Sequence, residues 1–160
     1  MKTNKGFTLI ETVIYIALLS LLLGTAFTTA FQLMQGTDTL NTKIRVEEEG
    51  NFVMRKFSWA LTSLDPSISP IVGGSLPCSQ TITLKKTNFS SNPIIISRNS
   101  VNNSLQIEES GVVLPITTEN VKVVCLQFSI IPAIDGGPPG IAATTTINGV
   151  DFAITKYQRK

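Results

Sequence analysis

From Thr12 through Thr37 the chain runs for 26 residues without a charged side chain, dominated by Leu, Ile, Val, Ala and Phe. A bilayer-spanning helix needs about 20 such residues, so this run admits few fates. It crosses a membrane, or it is removed as a secretory signal. Lys2 and Lys5 precede it with no acidic residue beside them, which leaves the amino end in the cytoplasm and sends everything after about residue 34 outward. Met1 to Lys5 would serve equally as the basic region of a secretory signal, and Gly24-Thr25-Ala26 as its small-residue cleavage site. Two features oppose that route. Glu11 sits at the start of the apolar run, where an acid costs insertion free energy, and the run continues past Ala26 through Phe27, Phe31 and Leu33.

Thr8-Leu9-Ile10-Glu11 matches the S/T-x-x-E capping box that opens a helix. A glutamate in a first turn also suits the helix dipole, by about 0.3 to 1 kcal/mol at exposed sites. That offsets a charge at the membrane edge. Inside the hydrocarbon an acidic side chain costs about 2.5 to 3.5 kcal/mol, and there Glu11 requires a cationic partner.

The remaining composition removes more functions than it adds. With 160 residues and 17.3 kDa, the chain has room for an anchor and one outer domain. A net charge of +2, without a basic stripe interleaved with aromatics, gives no footprint for nucleic acid. The absence of histidine removes the commonest general base and metal ligand. Ser and Thr are plentiful but no base accompanies them, and no phosphate loop, nucleophile elbow or carboxylate pair is present. The expectation is a protein that is not an enzyme and holds neither a cofactor nor a metal. Asp135 and Asp151 are two separated carboxylates, whereas calcium takes 6 to 8 oxygen ligands. Cys78 and Cys125 stand too far apart for a C-x-x-C site. They form a disulfide if their region is exported, or remain two buried thiols.

From Phe7 to Leu64 there is no proline, and Asp65-Pro66 reads as a helix stop, so one long helix of about 85 Å is expected. After Asp38 its pattern is amphipathic. Val46, Gly50, Val53, Phe57, Leu61 and Leu64 recur at steps of three and four and should pack under a sheet. The charges between them, Glu47 to Glu49 included, read most simply as a solvated face, and Trp59 as core or rim. Past Pro66 the composition turns to Ser, Pro, Gly, Thr and Asn around short β-rich runs. Residues 67–77 read as a loop; strands are expected at 80–85, 93–97, 104–108, 111–116, 121–131 and 144–156, the last broken by an Asn148-Gly149 hairpin turn. Val124, Leu126, Phe128 and Ile130 are assigned to the core face, with Val121, Val123 and Cys125 facing away.

Lys5-Gly6-Phe7-Thr8-Leu9-Ile10-Glu11, after a short leader with two lysines, resembles the leader of type IV prepilins and pseudopilins. The resemblance implies cleavage after Gly6 by a membrane prepilin peptidase, N-methylation of Phe7, and retention of the apolar segment. It also supplies the partner for Glu11, namely the terminal amine of Phe7 in a neighbouring subunit. The implied partners are other pilin or pseudopilin subunits, the peptidase, an inner-membrane assembly platform and the lipid bilayer. Residues 114–128 are similar, over a short stretch, to the outer-domain strand pair of minor pseudopilins. Many major pilins carry a proline in the apolar half of the helix and a two-cysteine loop near the carboxyl end; this chain has neither, which favours a minor subunit.

The expected architecture is α+β: leader 1–6, transmembrane or filament-core helix half 7–34, amphipathic half 35–65, and an extracytoplasmic antiparallel β domain 66–160. The functional expectation is a minor pilin or pseudopilin, held in the inner membrane and then placed in a filament. The alternative is a single-pass membrane-anchored binding module.

Overall fold

The computed structural model describes residues 6, 8–75, 77–133 and 137–158. Phe7 and Asp135 lie outside the described residues. One long apolar-to-amphipathic helix, α1 (Leu9–Ala60), is followed by eight strands. These are β1 (Ile71–Ser75), β2 (Ser79–Leu84), β3 (Ile94–Arg98), β4 (Leu105–Glu109), β5 (Val112–Pro115), β6 (Val123–Ile131), β7 (Gly140–Ile147) and β8 (Val150–Tyr157). The arrangement is α+β, and the chain divides into units at Met1–Lys43 and Ile44–Lys160.

In the first unit residues 9–43 are helical, and their apolar side chains are exposed throughout. In the second, the helix from Ile44 onward packs on the sheet. Val46, Gly50, Val53, Phe57 and Ala60 are buried at steps of three and four, so this stretch presents one face inward, as its sequence period requires. That face meets Ile82, Leu84, Ile94, Ile96, Leu126 and Ile141 in one core, with the Phe57 and Phe128 rings 5.9 Å apart. At Gly50 an added Cβ would fall 2.1 Å from the Phe152 ring. The glycine is what lets β8 approach the helix.

The helix ends at Ala60, short of the expected Leu64. Ser63 takes a left-handed backbone (φ 59), and the chain then turns to pair with the end of β2: Leu64 bridges Lys86, and the Asp65 amide donates to the Lys85 carbonyl at 2.9 Å. Strand pairing therefore ends the helix before the proline does. Lys86 also donates to the Trp59 carbonyl at 2.8 Å, with its ammonium 4.1 Å from the Trp59 ring centroid. Burial draws this lysine below its ordinary pKa, against the opposing pull of Glu109. Trp59 is a rim residue, stacked edge-on with Phe89.

The sheet runs β5-β4-β3-β2-β6-β7-β8, with β1 pairing β2 off that path. It departs from the expected antiparallel sheet in one ladder, because β2 and β6 are parallel and share a single pair, Ser79 with Leu126. The expected loop at 67–77 contains strand β1. Gly73 and Gly74 read as loop signals, yet all five β1 residues pair with β2 and Gly74 accommodates the close approach at φ 90. The face assignment in β6 also changes. A register shift between Val123 and Cys125 brings Val123 inward beside Leu126 and Phe128, which are buried as expected, and leaves Val124 exposed; Ile130, in phase with Leu126 and Phe128, is exposed near the end of the strand. A bulge adds one residue to the strand and reverses the alternation beyond it. Val121, expected to face away, is buried as well. Asn148 (φ 48) and Gly149 (φ 83) form the β7–β8 turn, as an Asn-Gly hairpin requires.

Candidate functional site

The amino-terminal candidate site begins at Gly6, which is exposed and where an added Cβ would meet nothing within 4 Å. Packing therefore does not explain a glycine at that position. The first helical turn follows: the amides of Glu11 and Thr12 donate to the Thr8 carbonyl at 3.1 and 3.3 Å. Thr8 thus opens the helix through its backbone carbonyl. Glu11 is half-buried, and the Tyr15 hydroxyl donates to its Oε1 at 3.2 Å. Sequence reading passed over Tyr15, although four residues is the spacing at which helical side chains meet. At 3.2 Å the bond is long for a hydroxyl donor, and it is supplied by the chain itself.

Beyond Glu11 the helix bonds its hydroxyls back to its own carbonyls. The Ser20 hydroxyl donates to the Ile16 carbonyl at 2.7 Å, and those of Thr25, Thr29 and Thr37 donate to the carbonyls of Leu22, Thr25 and Leu33 at 2.8 to 2.9 Å. Hydroxyls satisfied on their own helix can enter hydrocarbon without an unmade hydrogen bond. An 18-residue window of this helix is apolar enough to cross a membrane, and none of it is buried.

Cys78 and Cys125 form a disulfide, across the seam where β2 and β6 share their single ladder pair. The seam has two further ties. The Leu126 amide donates to the Cys78 carbonyl at 3.2 Å, and the Phe128 amide to the buried side chain of Gln80. Gln80 supplies with its side chain the acceptor that the parting strand no longer offers. Of the three adjacent glutamates, Glu49 fastens the segment after β5 by accepting from the Thr118 hydroxyl at 2.6 Å, whereas Glu47 and Glu48 are exposed. Asp151 accepts from the Thr146 hydroxyl at 2.6 Å, and among the described residues no three His, Cys, Asp or Glu side chains gather as a metal site.

Residues 1–27 match the family model described as the prokaryotic N-terminal methylation motif. That motif is the leader signature of type IV pilins and pseudopilins. Nothing matches among curated proteins, and nothing among solved structures. The chain joins a pilin-type leader to a helix able to cross a membrane and to a disulfide-stapled α+β unit.

Proposed function

We propose that the protein is a minor pilin or pseudopilin, a structural subunit of a type IV pilus-like or type II secretion-like filament. The observation that carries this reading is the methylation motif at 1–27 running directly into an apolar helix whose side chains are exposed. A secretory signal ends near its cleavage site; here the helical apolar segment continues well beyond Ala26.

In this reading a prepilin peptidase cuts after Gly6 and Phe7 becomes the methylated amino terminus. Before assembly the subunit is held in the inner membrane with its β domain outside the cytoplasm. Glu11 pairs with the Phe7 amine of a neighbouring subunit when the assembly platform moves the helix into the filament. A carboxylate in a low-dielectric core is tolerated beside a cation and costly alone, so Glu11 favours the assembled state. The chain performs no catalysis and holds no cofactor; its work is binding other subunits.

Expression with and without a prepilin peptidase, followed by intact-mass and peptide mass spectrometry of the amino terminus, tests the reading. The expected product starts at Phe7 and carries an added methyl. A terminus at Phe27 would make the protein a secreted one. An uncut Met1 in the presence of active peptidase would make it a tethered binding module.

A further inference from the structure

The sheet has unlike edges. At one end β5 offers little to another strand. The Ile116 amide donates to the Leu105 carbonyl at 2.7 Å, so by alternation Val112 and Leu114 also face β4, and only Val113 and Pro115 direct main-chain groups outward. Proline has no N–H to give. β1, which pairs only with β2, is interrupted by Gly74 at φ 90. At the other end β8 pairs with β7 from Ile147 with Val150 to Gly140 with Tyr157, without a register shift, and the Gln158 amide donates to the Pro139 carbonyl at 2.8 Å. The even-numbered residues of β8 therefore face β7. Asp151, Ala153, Thr155 and Tyr157 each turn an N–H and a C=O away from the sheet, and all of them are exposed. Among the described residues β8 has no second strand beside it. This row is about 20 Å long, charged only at Asp151 and Lys156, and carries neither the proline nor the bulge that closes many edges.

A groove of about 810 Å³ opens beside the last residues of this row, lined by Leu61, Leu64, Pro66, Thr87, Lys156 and Tyr157 among others. We propose that β8 takes an extended segment of a different pilin-type subunit as an added strand, whose end lies in that groove. The inference rests on the filament reading above and names one surface of the minor subunit and the chemistry of what it holds. The segment pairs its main chain with the outward row. Its last side chains fill the groove against Leu61, Leu64 and Pro66, and one of them is an Asp or Glu that reaches Lys156, the one charged residue lining the groove among the described residues. A second copy of this chain suits the edge poorly. An antiparallel β8–β8 pair needs a two-fold axis normal to the sheet, which reverses the helix packed on it, whereas copies anchored by their amino-terminal halves in one bilayer run the same way. A parallel β8–β8 pair sets Asp151 beside Asp151 and Lys156 beside Lys156, which is repulsive. Pairing with β5 or β1 of another copy meets Pro115 or the interruption at Gly74.

The test uses the full chain in the cells that make it, with the photocrosslinker p-benzoylphenylalanine placed at Tyr157 and the products read by peptide mass spectrometry. The expected product joins that position to an extended segment of another chain with a pilin-type leader, and the segment contains an Asp or Glu. The same probe at Val101, which is 91% exposed in the β3–β4 turn, should not give it. Ala153→Pro removes an outward amide without touching the β7 ladder and should lower the yield about tenfold. Ala153→Thr keeps the amide and should keep the yield. An intact Cys78–Cys125 disulfide and an unchanged thermal midpoint in detergent show that the proline variant is folded. If it is not, Thr155→Pro repeats the test at the next outward amide, and misfolding of both would mean that these amides do not face outward, which overturns the proposal. It is equally overturned by no crosslink, by a crosslink to a helix, to another copy of this chain or to a chain without such a leader, by the same product from Val101, or by a yield that Ala153→Pro leaves unchanged or that Ala153→Thr lowers as much. The amino terminus of the same sample reports processing at Gly6, so a start at Phe7 leaves the filament reading standing whatever β8 binds.

Discussion

Glu11 joins two roles that pull on one side chain. At the start of the helix it suits the dipole and accepts a hydrogen bond from Tyr15, which offsets only part of the cost of a lone carboxylate; in the proposed filament a neighbouring amine makes it favourable. Glu11→Ala should leave the protein inserted and folded while its recovery in sheared filaments is lost, and unchanged recovery would remove the role assigned to Glu11. Gln80 is the corresponding residue of the outer domain, because its side chain is the acceptor for the Phe128 amide. Gln80→Leu should destabilise the domain by about 1 to 3 kcal/mol, the usual cost of a buried donor left without a partner. Denaturant unfolding of the full chain in detergent measures it. Glu11 was legible in the sequence because an acid in an apolar run is conspicuous. Gln80 was not, since nothing in Ser79-Gln80-Thr81 announces that two strands part there.

The helix changes character about two-thirds of the way along. Up to Lys43 its apolar side chains are exposed, and from Ile44 onward its buried face packs against the sheet. This last part depends on shape as well as pattern. Gly50→Ala would add a methyl where the Phe152 ring already sits, and should cost about 1 to 3 kcal/mol through overpacking, despite alanine's higher helix propensity. Thermal unfolding followed by circular dichroism would show it as a lowered midpoint. Period and spacing revealed the inward face from Val46 to Leu61, because a helix buries what recurs every three to four residues. They did not reveal strand β1, whose Gly73 and Gly74 read as loop signals until β2 paired with them. In β6 alternation was the right rule applied across a bulge that alternation cannot detect.

At the scale of the whole molecule, the disulfide matters because of where it lies. β6 shares one ladder pair with β2, beside hydrogen bonds with Gln80, Arg98 and Asn103, and Cys78–Cys125 closes a separation of 47 residues at that seam. Replacing both cysteines with serine should lower unfolding stability by about 4 kcal/mol in the chain-entropy model, read as a shift in denaturant midpoint between oxidised and serine-substituted protein. The sequence by itself determined the leader, the membrane-capable helix, the amphipathic continuation and most of the strands, because each is encoded in residues that are near neighbours along the chain. The tertiary structure decided which strand lies beside which, where the helix stops, the inward side of β6, and that the two cysteines meet. Those outcomes depend on pairings between residues tens of positions apart, and local periodicity carries no information about them.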